Sequence, residues 1–353
     1  MKGASVGLFS SRKRNQKAEK TAPVEAKDSL IEEQEYNIDD VENAPIIERE
    51  IEQTPSEQPS QPSEETPEVT NSESSDDEEE LGERTYVAFK DKAPVQHSIG
   101  QTRILAIINQ KGGVGKSTTA VNLAAALGEK NKEVLLVDLD PQGNATSGYG
   151  IDKRELDTCV YNVLLGDTPV EDVILANVAK GVDILPSTIN LAGAEVELVN
   201  EMARENRLKN SLGSLRGFYD YILIDCPPSL GLLTINALVA ADKLIVPIQC
   251  EFYALEGVTK LLDSMKRVKT MLNPSLEIYG IVLTMYDSRT NLARQVVDEV
   301  RSYFGSATFN TVIPRSVKLS EAPSYGQSII EYAPDNKGAQ CYRDLAQEVI
   351  DRE

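Results

Sequence analysis

From residue 103 onward, short apolar runs alternate with longer stretches in which apolar positions recur every three or four residues. The apolar runs predict strands at Ile104–Asn109, Val134–Asp138, Val182–Pro186, Tyr221–Cys226, Lys243–Pro247, Ile278–Met285 and Thr311–Ile313. Each is short and apolar on both faces, as strands of a buried parallel sheet must be. The stretches between them read as helices. Across Glu251–Leu272 the positions Leu255, Val258, Leu262, Met265 and Leu272 keep helical spacing, and Glu256, Lys260, Asp263, Lys266 and Arg267 fall between them. Pro274 ends that helix, and Glu277 leads into the next strand. The alternation predicts an α/β fold, a mostly parallel doubly wound sheet flanked by helices, with no internal repeat.

The first hundred residues have another texture. They hold 11 Lys and Arg against 24 Asp and Glu, whereas the remaining residues hold 25 against 32, so most of the net charge of −20 sits ahead of the α/β pattern. Between residues 28 and 83 there are 21 acidic residues and one basic one, Arg49, among many Ser, Pro, Gln and Thr. Such a segment repels itself and has too little apolar area to offset its ordering entropy. The expectation is therefore a disordered tail over residues 1–100 and one folded domain over residues 101–353, with residues 85–102 as a lead-in. A small basic head, Arg12-Lys13-Arg14 with Lys17 and Lys20, opens the tail behind Val6-Gly7-Leu8-Phe9.

No window is apolar enough to span a membrane, and the N-terminus lacks the apolar core of a secretion signal, so the expected location is cytoplasmic. Cys159, Cys226, Cys250 and Cys341 are far apart, and His97 is the only histidine. That spacing offers no metal-ligand pair and reads as reduced, mostly buried thiols.

The chemistry lies behind the first predicted strand. Asn109-Gln110-Lys111-Gly112-Gly113-Val114-Gly115-Lys116-Ser117-Thr118-Thr119 opens directly onto an amphipathic helix, Ala120–Gly128. A strand, a glycine loop and a helix in this order make a P-loop: glycines let backbone N–H groups turn inward around a phosphate, and the helix N-terminus adds partial positive charge. Lys116 supplies a full charge to the β and γ phosphates, and the Ser117 hydroxyl suits Mg²⁺. Gln110 stands where the usual pattern has its first glycine, and the loop carries an additional lysine, Lys111. Two further apolar strands end in carboxylates, Asp138-Leu139-Asp140-Pro141-Gln142 and Asp225-Cys226-Pro227-Pro228. In a doubly wound sheet these ends face the ligand, and an apolar strand ending in Asp is what the Mg²⁺ shell requires.

With these residues in place, Lys111–Thr119 resembles the deviant Walker A loop of the MinD/ParA superfamily. Asp138–Gly148, Asp225–Gly231, Leu283–Asn291 and Val312–Gly326 resemble further motifs of its ParA/Soj branch, the ATPases that partition chromosomes and plasmids. The resemblance runs from Arg103 to the end of the chain. It implies a P-loop NTPase that binds ATP and Mg²⁺ and hydrolyses ATP. It implies that Gly112, Gly113, Val114, Gly115, Lys116, Ser117 and Thr118 hold the nucleotide, with Thr118 at the α-phosphate, and that Lys111 crosses an ATP-dependent homodimer to the phosphates of the other subunit. Asp140 would position or activate the attacking water, and Asp225 would hold the Mg²⁺ shell. Pro314 and Ser316 would line the adenine pocket, although the family often has Asn where this chain has Ser316.

The resemblance also implies non-specific DNA binding through Arg289 and Lys318, a ParB-like centromere-binding partner, and a nucleoid-associated location. Phosphate contacts of this kind give affinity without sequence information. Other readings share the site. A MinD-like membrane ATPase would end in a basic amphipathic helix, whereas this chain ends with acids among Asp344, Glu348, Asp351 and Glu353. An iron–sulfur relative would need paired cysteine ligands. A nucleoid-based ATPase that positions some other cargo would use the same residues.

Overall fold

The computed structural model describes residues 87–89, 102–252 and 254–352. The expected disordered tail, the acidic segment and the basic head lie outside the described residues, except at residues 87–89. There the structure departs from the reading of a lead-in, because Val87–Ala88 forms a strand, β1. Phe89 is buried against Phe218 and Tyr219.

The remaining elements follow in order. The first half holds β2 (Arg103–Ile107), α1 (Lys116–Glu129), β3 (Val134–Asp138), α2 (Asn144–Gly148), α3 (Val160–Leu165), β4 (Leu175–Ala179), β5 (Val182–Leu185), α4 (Leu191–Glu197) and α5 (Arg207–Gly213). The second half holds β6 (Tyr221–Asp225), α6 (Leu232–Ala240), β7 (Lys243–Gln249), α7 (Glu256–Met271), β8 (Glu277–Tyr286), α8 (Asn291–Phe304), β9 (Thr308–Pro314), α9 (Val317–Glu321), α10 (Ile329–Tyr332) and α11 (Lys337–Asp351). Every strand expected from the apolar runs is present.

One sheet takes them in the order β1-β4-β5-β3-β6-β2-β7-β8-β9. From β5 to β9 all neighbours are parallel, and β4 and β1 close one edge through antiparallel pairs. After β1 at the edge, the chain enters the middle of the sheet at β2, builds that side through β3, β4, β5 and β6, and then crosses to β7 on the other. The reversal beside β2 is where a doubly wound sheet opens a crevice at its strand ends.

β4 was not legible as an apolar run because its faces alternate and Asn177 interrupts it in the left-handed region, φ 60°. The Asn177 N–H turns out of the ladder and donates to Asp183 Oδ1 at 2.9 Å. Gly181, φ 69°, then reverses the chain into β5.

α1 is the central helix of the packing. It begins four residues before the expected Ala120, because Gly115 at φ 88° folds the loop straight into the first helical turn. Its alanines (Ala120, Ala124, Ala125, Ala126) favour helix and leave a low surface on which other elements approach closely. Leu123 and Leu127 bury fully against Leu105, Leu136 and Leu223 of the sheet. On the same core lie Tyr342, Leu345, Ala346 and Val349 of α11, so α11 is a layer of the fold. Each fully buried Leu of this kind contributes roughly 1.5–3 kcal/mol. The Asn122 side chain, buried in α1, donates to Thr118 O at 2.7 Å and accepts from Ile329 N at 2.6 Å, tying α1 to the start of α10.

Near the C-terminal end of α1, Gly128 meets the β4–β5 turn so closely that a Cβ would lie 2.0 Å from the backbone oxygen of Lys180. Alanine would favour the helix by about 1 kcal/mol over glycine. The obstructing atom is backbone and cannot swing aside, so an overpacking cost of roughly 1–3 kcal/mol wins. Gly128→Ala should therefore lower the urea midpoint of unfolding, and an equal or higher midpoint would contradict this packing.

Candidate nucleotide site

The loop between β2 and α1 is fixed from both sides. Asn109, buried at the end of β2, donates its amide to Pro247 O at 2.8 Å and accepts the Lys111 N–H at 3.0 Å. Thr284 of β8 donates its hydroxyl to Val114 O at 2.8 Å. Gly113 and Gly115, at φ 74° and 88°, hold backbone conformations that side chains disfavour. This is how the local sequence closes a cradle of N–H groups at the N-terminus of α1.

Lys116 reaches back across the loop and donates to Lys111 O at 3.2 Å. Its ammonium is buried, and burial lowers its pKa; the nearby Asp225, Cys226 and Asp140 partly restore it. The Lys111 side chain, by contrast, makes no hydrogen bond or ion pair with any described residue, and only its backbone is used.

Three carboxylates stand at the ends of β3 and β6. Asp138 and Asp225 are paired in register on adjacent strands, and both are fully buried. Asp138 is well supplied with donors: Thr146 N at 2.8 Å, Thr146 Oγ1 at 2.7 Å and Asp140 N at 3.2 Å. Burial nonetheless pushes its carboxyl up to about 6. Asp225 differs, because both of its oxygens are buried without a hydrogen-bond partner. Burial, and then the charge of Asp138, raises its pKa well above the ordinary carboxylate value; the Ser117 side chain beside it and the Lys116 charge offset this only in part. Asp140 is nearly buried and accepts the Gln142 N–H at 2.9 Å. Burial also raises the Cys226 thiol well above its usual value, which leaves it a poor nucleophile.

A buried carboxylate that makes no well-formed hydrogen bond, with only the Ser117 hydroxyl close by, is costly unless something completes it. The missing partner is a cation or its water shell, and Asp225 beside Ser117 offers the hard oxygen donors that Mg²⁺ prefers. Among the described residues, no group of three or more His, Cys, Asp or Glu could hold a metal ion by itself. A divalent ion here would therefore share its shell with phosphate and water oxygens, as Mg²⁺ does in nucleotide sites.

Beside the loop lies a cavity of about 590 Å³. Gly115 and Thr118 line one wall, and Met285, Pro314, Ser316 and Tyr342 line others. The structure thus brings the expected Pro314 and Ser316 to the same cavity as the glycine loop. Sequence reading missed Thr284 and Tyr342. Thr284 lies near the end of an apolar strand, in the Leu283–Asn291 motif, a signal that was available, whereas Tyr342 sits at an ordinary core position of an amphipathic helix. Met285 is in the left-handed region, φ 52°, where the pairing of β8 with β9 becomes irregular.

Arg289 and Lys318 are not part of this cavity. They follow the ends of β8 and β9 and are exposed, and each is held by a nearby acid. Arg289 makes a two-point pair with Asp287, at 2.9 and 2.7 Å, that holds the Asp287 carboxyl at about 2. Lys318 pairs with Glu321 at 2.9 Å and lies over the Tyr332 ring.

The raised pKa of Asp225 sets the sign of a stability effect. A carboxyl whose folded pKa exceeds its unfolded value contributes stability below the unfolded value and loses it as pH rises through the folded one. Without nucleotide or Mg²⁺, the thermal midpoint should fall as pH rises above about 4, the ordinary carboxylate value, and Asp225→Asn should make that fall shallower. Melts of the two proteins at rising pH test it; parallel curves would contradict an uncompensated Asp225.

The comparisons with known proteins agree with this geometry. A family model described as an AAA domain matches residues 102–278. The sporulation initiation inhibitor protein Soj of Bacillus subtilis is 57% identical over 247 residues, which span 70% of this chain and 98% of that protein. The chromosome partitioning protein ParA of Myxococcus xanthus is 51% identical over 251 residues, 71% of this chain and 89% of the relative. A crystal structure named as cobyrinic acid a,c-diamide synthase from Mycobacterium smegmatis, with bound ADP and magnesium, is 41% identical with a TM-score of 0.63; the match covers 70% of this chain and 94% of that one. Given this identity over almost the whole length of Soj, and a deviant P-loop facing carboxylates at two strand ends, the chain belongs to the Soj/ParA family of chromosome-partitioning P-loop ATPases.

Proposed function

We propose that the protein is an ATP-driven switch for partitioning chromosomal or plasmid DNA. The observation that carries the ATP reading is the buried, unpartnered Asp225 beside Ser117, facing a buried Lys116 at the head of the glycine loop. That arrangement lacks an anion and a cation together, and a Mg²⁺–nucleotide supplies both. Ser117 and Asp225 would hold the Mg²⁺, whose contribution is to neutralise phosphate charge. The relative with bound ADP and magnesium supports this choice of ligand.

In the proposed reaction, a water oxygen attacks the γ-phosphorus while the bond to the β–γ bridging oxygen breaks, giving ADP and phosphate. Lys116 and the loop N–H groups take up charge on the β and γ oxygens. Asp140 orients the water and accepts its proton. Lys111, whose side chain has no partner among the described residues, reaches the phosphates of a second ATP-loaded copy and stabilises developing charge there, as an arginine finger does. Hydrolysis is then tied to dimer formation, and the ADP state dissociates. A ParB-like centromere-binding protein is the proposed stimulating partner.

The dimer is proposed to bind DNA without sequence preference and so to associate with the nucleoid. Partition is favoured over a membrane role by the placement of α11: its apolar residues Tyr342, Leu345, Ala346 and Val349 are spent on the core. No described helix is long and apolar enough to cross a membrane.

Lys116→Ala should abolish ATP binding. Lys111→Ala should retain ATP but stay monomeric, with turnover lowered at least ~10³-fold. Equilibrium ATP binding, size and phosphate release measured on both variants test the assignment; a Lys111→Ala protein that dimerises and turns over normally would contradict it. For DNA, Asp287→Asn frees Arg289 from its acid and should extend DNA retention to higher salt, while Arg289→Ala should weaken it. Equal retention by all three proteins would remove Arg289 from the DNA surface.

A further inference from the structure

The turn Asp140–Gly143 carries the carboxylate assigned to the attacking water. Its internal hydrogen bonds, Gln142 N to Asp140 Oδ1 at 2.9 Å and Gly143 N to Asp140 O at 2.8 Å, move with the turn and cannot aim it. Two side chains remote in the chain tie it down. Lys153 donates to Gln142 O at 2.6 Å from the exposed side. Ser187, just beyond β5 and fully buried, donates its hydroxyl to Asp140 O at 2.8 Å.

Ser187 is itself held. Its N–H donates to Thr146 Oγ1 at 2.9 Å, and that hydroxyl donates to Asp138 Oδ2 at 2.7 Å. Asp138 Oδ1 in turn accepts Asp140 N at 3.2 Å. The bonds close a ring, Asp138 to Thr146 to Ser187 to Asp140 and back, in which both backbone polar groups of Asp140 are gripped by buried side chains. The fit is tight around it: a Cβ at Gly143 would lie 2.9 Å from Ser187 O and 2.5 Å from Lys153 Cδ.

We propose that Ser187 is a positioning residue for hydrolysis, which fixes the peptide of Asp140 so that its carboxylate meets the attacking water. This rests on the role proposed above for Asp140. The Ser187 hydroxyl acts on the backbone oxygen of Asp140 and links the end of β5 to the turn. Misplacement of a catalytic group by a fraction of an ångström lowers the rate of the chemical step and leaves ground-state binding largely intact. A purely structural hydrogen bond would lower the melting temperature and spare turnover.

The test is steady-state ATP hydrolysis by the full chain carrying Ser187→Ala, Ser187→Cys or Asp140→Ala, and by the Ser187→Ala/Asp140→Ala double variant. Ser187→Ala should lower kcat ~10-fold with KM for ATP within about twofold of the parent. Ser187→Cys keeps the shape but donates weakly, and should fall between. In the Asp140→Ala background, Ser187→Ala should cause no further loss of the residual rate, because the group it positions is gone. Parental kcat in Ser187→Ala, or the same fold-loss with and without Asp140, would overturn the proposal. Should the alanine chain not fold, a Ser187→Cys protein with parental kcat overturns it equally. Normal hydrolysis by Asp140→Ala would overturn the role of Asp140 itself, and this inference with it.

Discussion

The fold is arranged around a buried charge imbalance at the ends of two neighbouring strands. The register of β3 with β6 sets Asp138 opposite Asp225, and both side chains are cut off from water. Asp138 is compensated by hydrogen bonds from Thr146 and from the backbone of Asp140. Asp225 is not, and its nearest cation, Lys116, is itself partly desolvated. An isolated buried carboxylate costs free energy that the rest of the domain must offset, so the site is poised for a ligand carrying both a cation and phosphate oxygens. Binding energy is then available to drive a change of state, as a switch requires.

Holding that imbalance in place demands a rigid scaffold. The parallel sheet supplies it, because β2, β3 and β6 end together where the strand order reverses. α1 is clamped between the sheet and α11, with alanines where the approach is closest and leucines where volume is needed. The glycine loop hangs from Asn109 on one side and Thr284 on the other, so its N–H groups are preorganised before any ligand arrives. The same packing accounts for the fate of the C-terminal helix, whose apolar face belongs to the core.

Much of this was legible in the sequence because parallel strands buried on both faces must be short and apolar, and because glycines next to Lys116 and Ser117 mark a phosphate cradle. The strand-end carboxylates could be read too, since each closes an apolar run. Three features could not. β4 alternates and is broken at Asn177, so no apolar run announced it. β1 and Phe89 belong to a stretch that reads as linker, yet Phe89 finds Phe218 and Tyr219 through tertiary packing alone. The ring through Thr146 and Ser187 joins residues far apart in sequence by side-chain hydrogen bonds, which have no period. The pairing of Arg289 with Asp287 lies two residues apart and could have been anticipated; it explains how a DNA contact could be masked in a chain of net charge −20.

In the proposed switch, nucleotide identity controls both assembly and DNA contact. The most direct measurement is size and DNA retention of Asp140→Ala, loaded with ATP or with ADP, at low and at raised salt. The account predicts a dimer with ATP only, which holds DNA of any sequence and releases it as salt rises, because phosphate contacts are lost by counterion competition. A protein that stays monomeric with ATP, or that holds DNA equally well with ADP, would contradict the account.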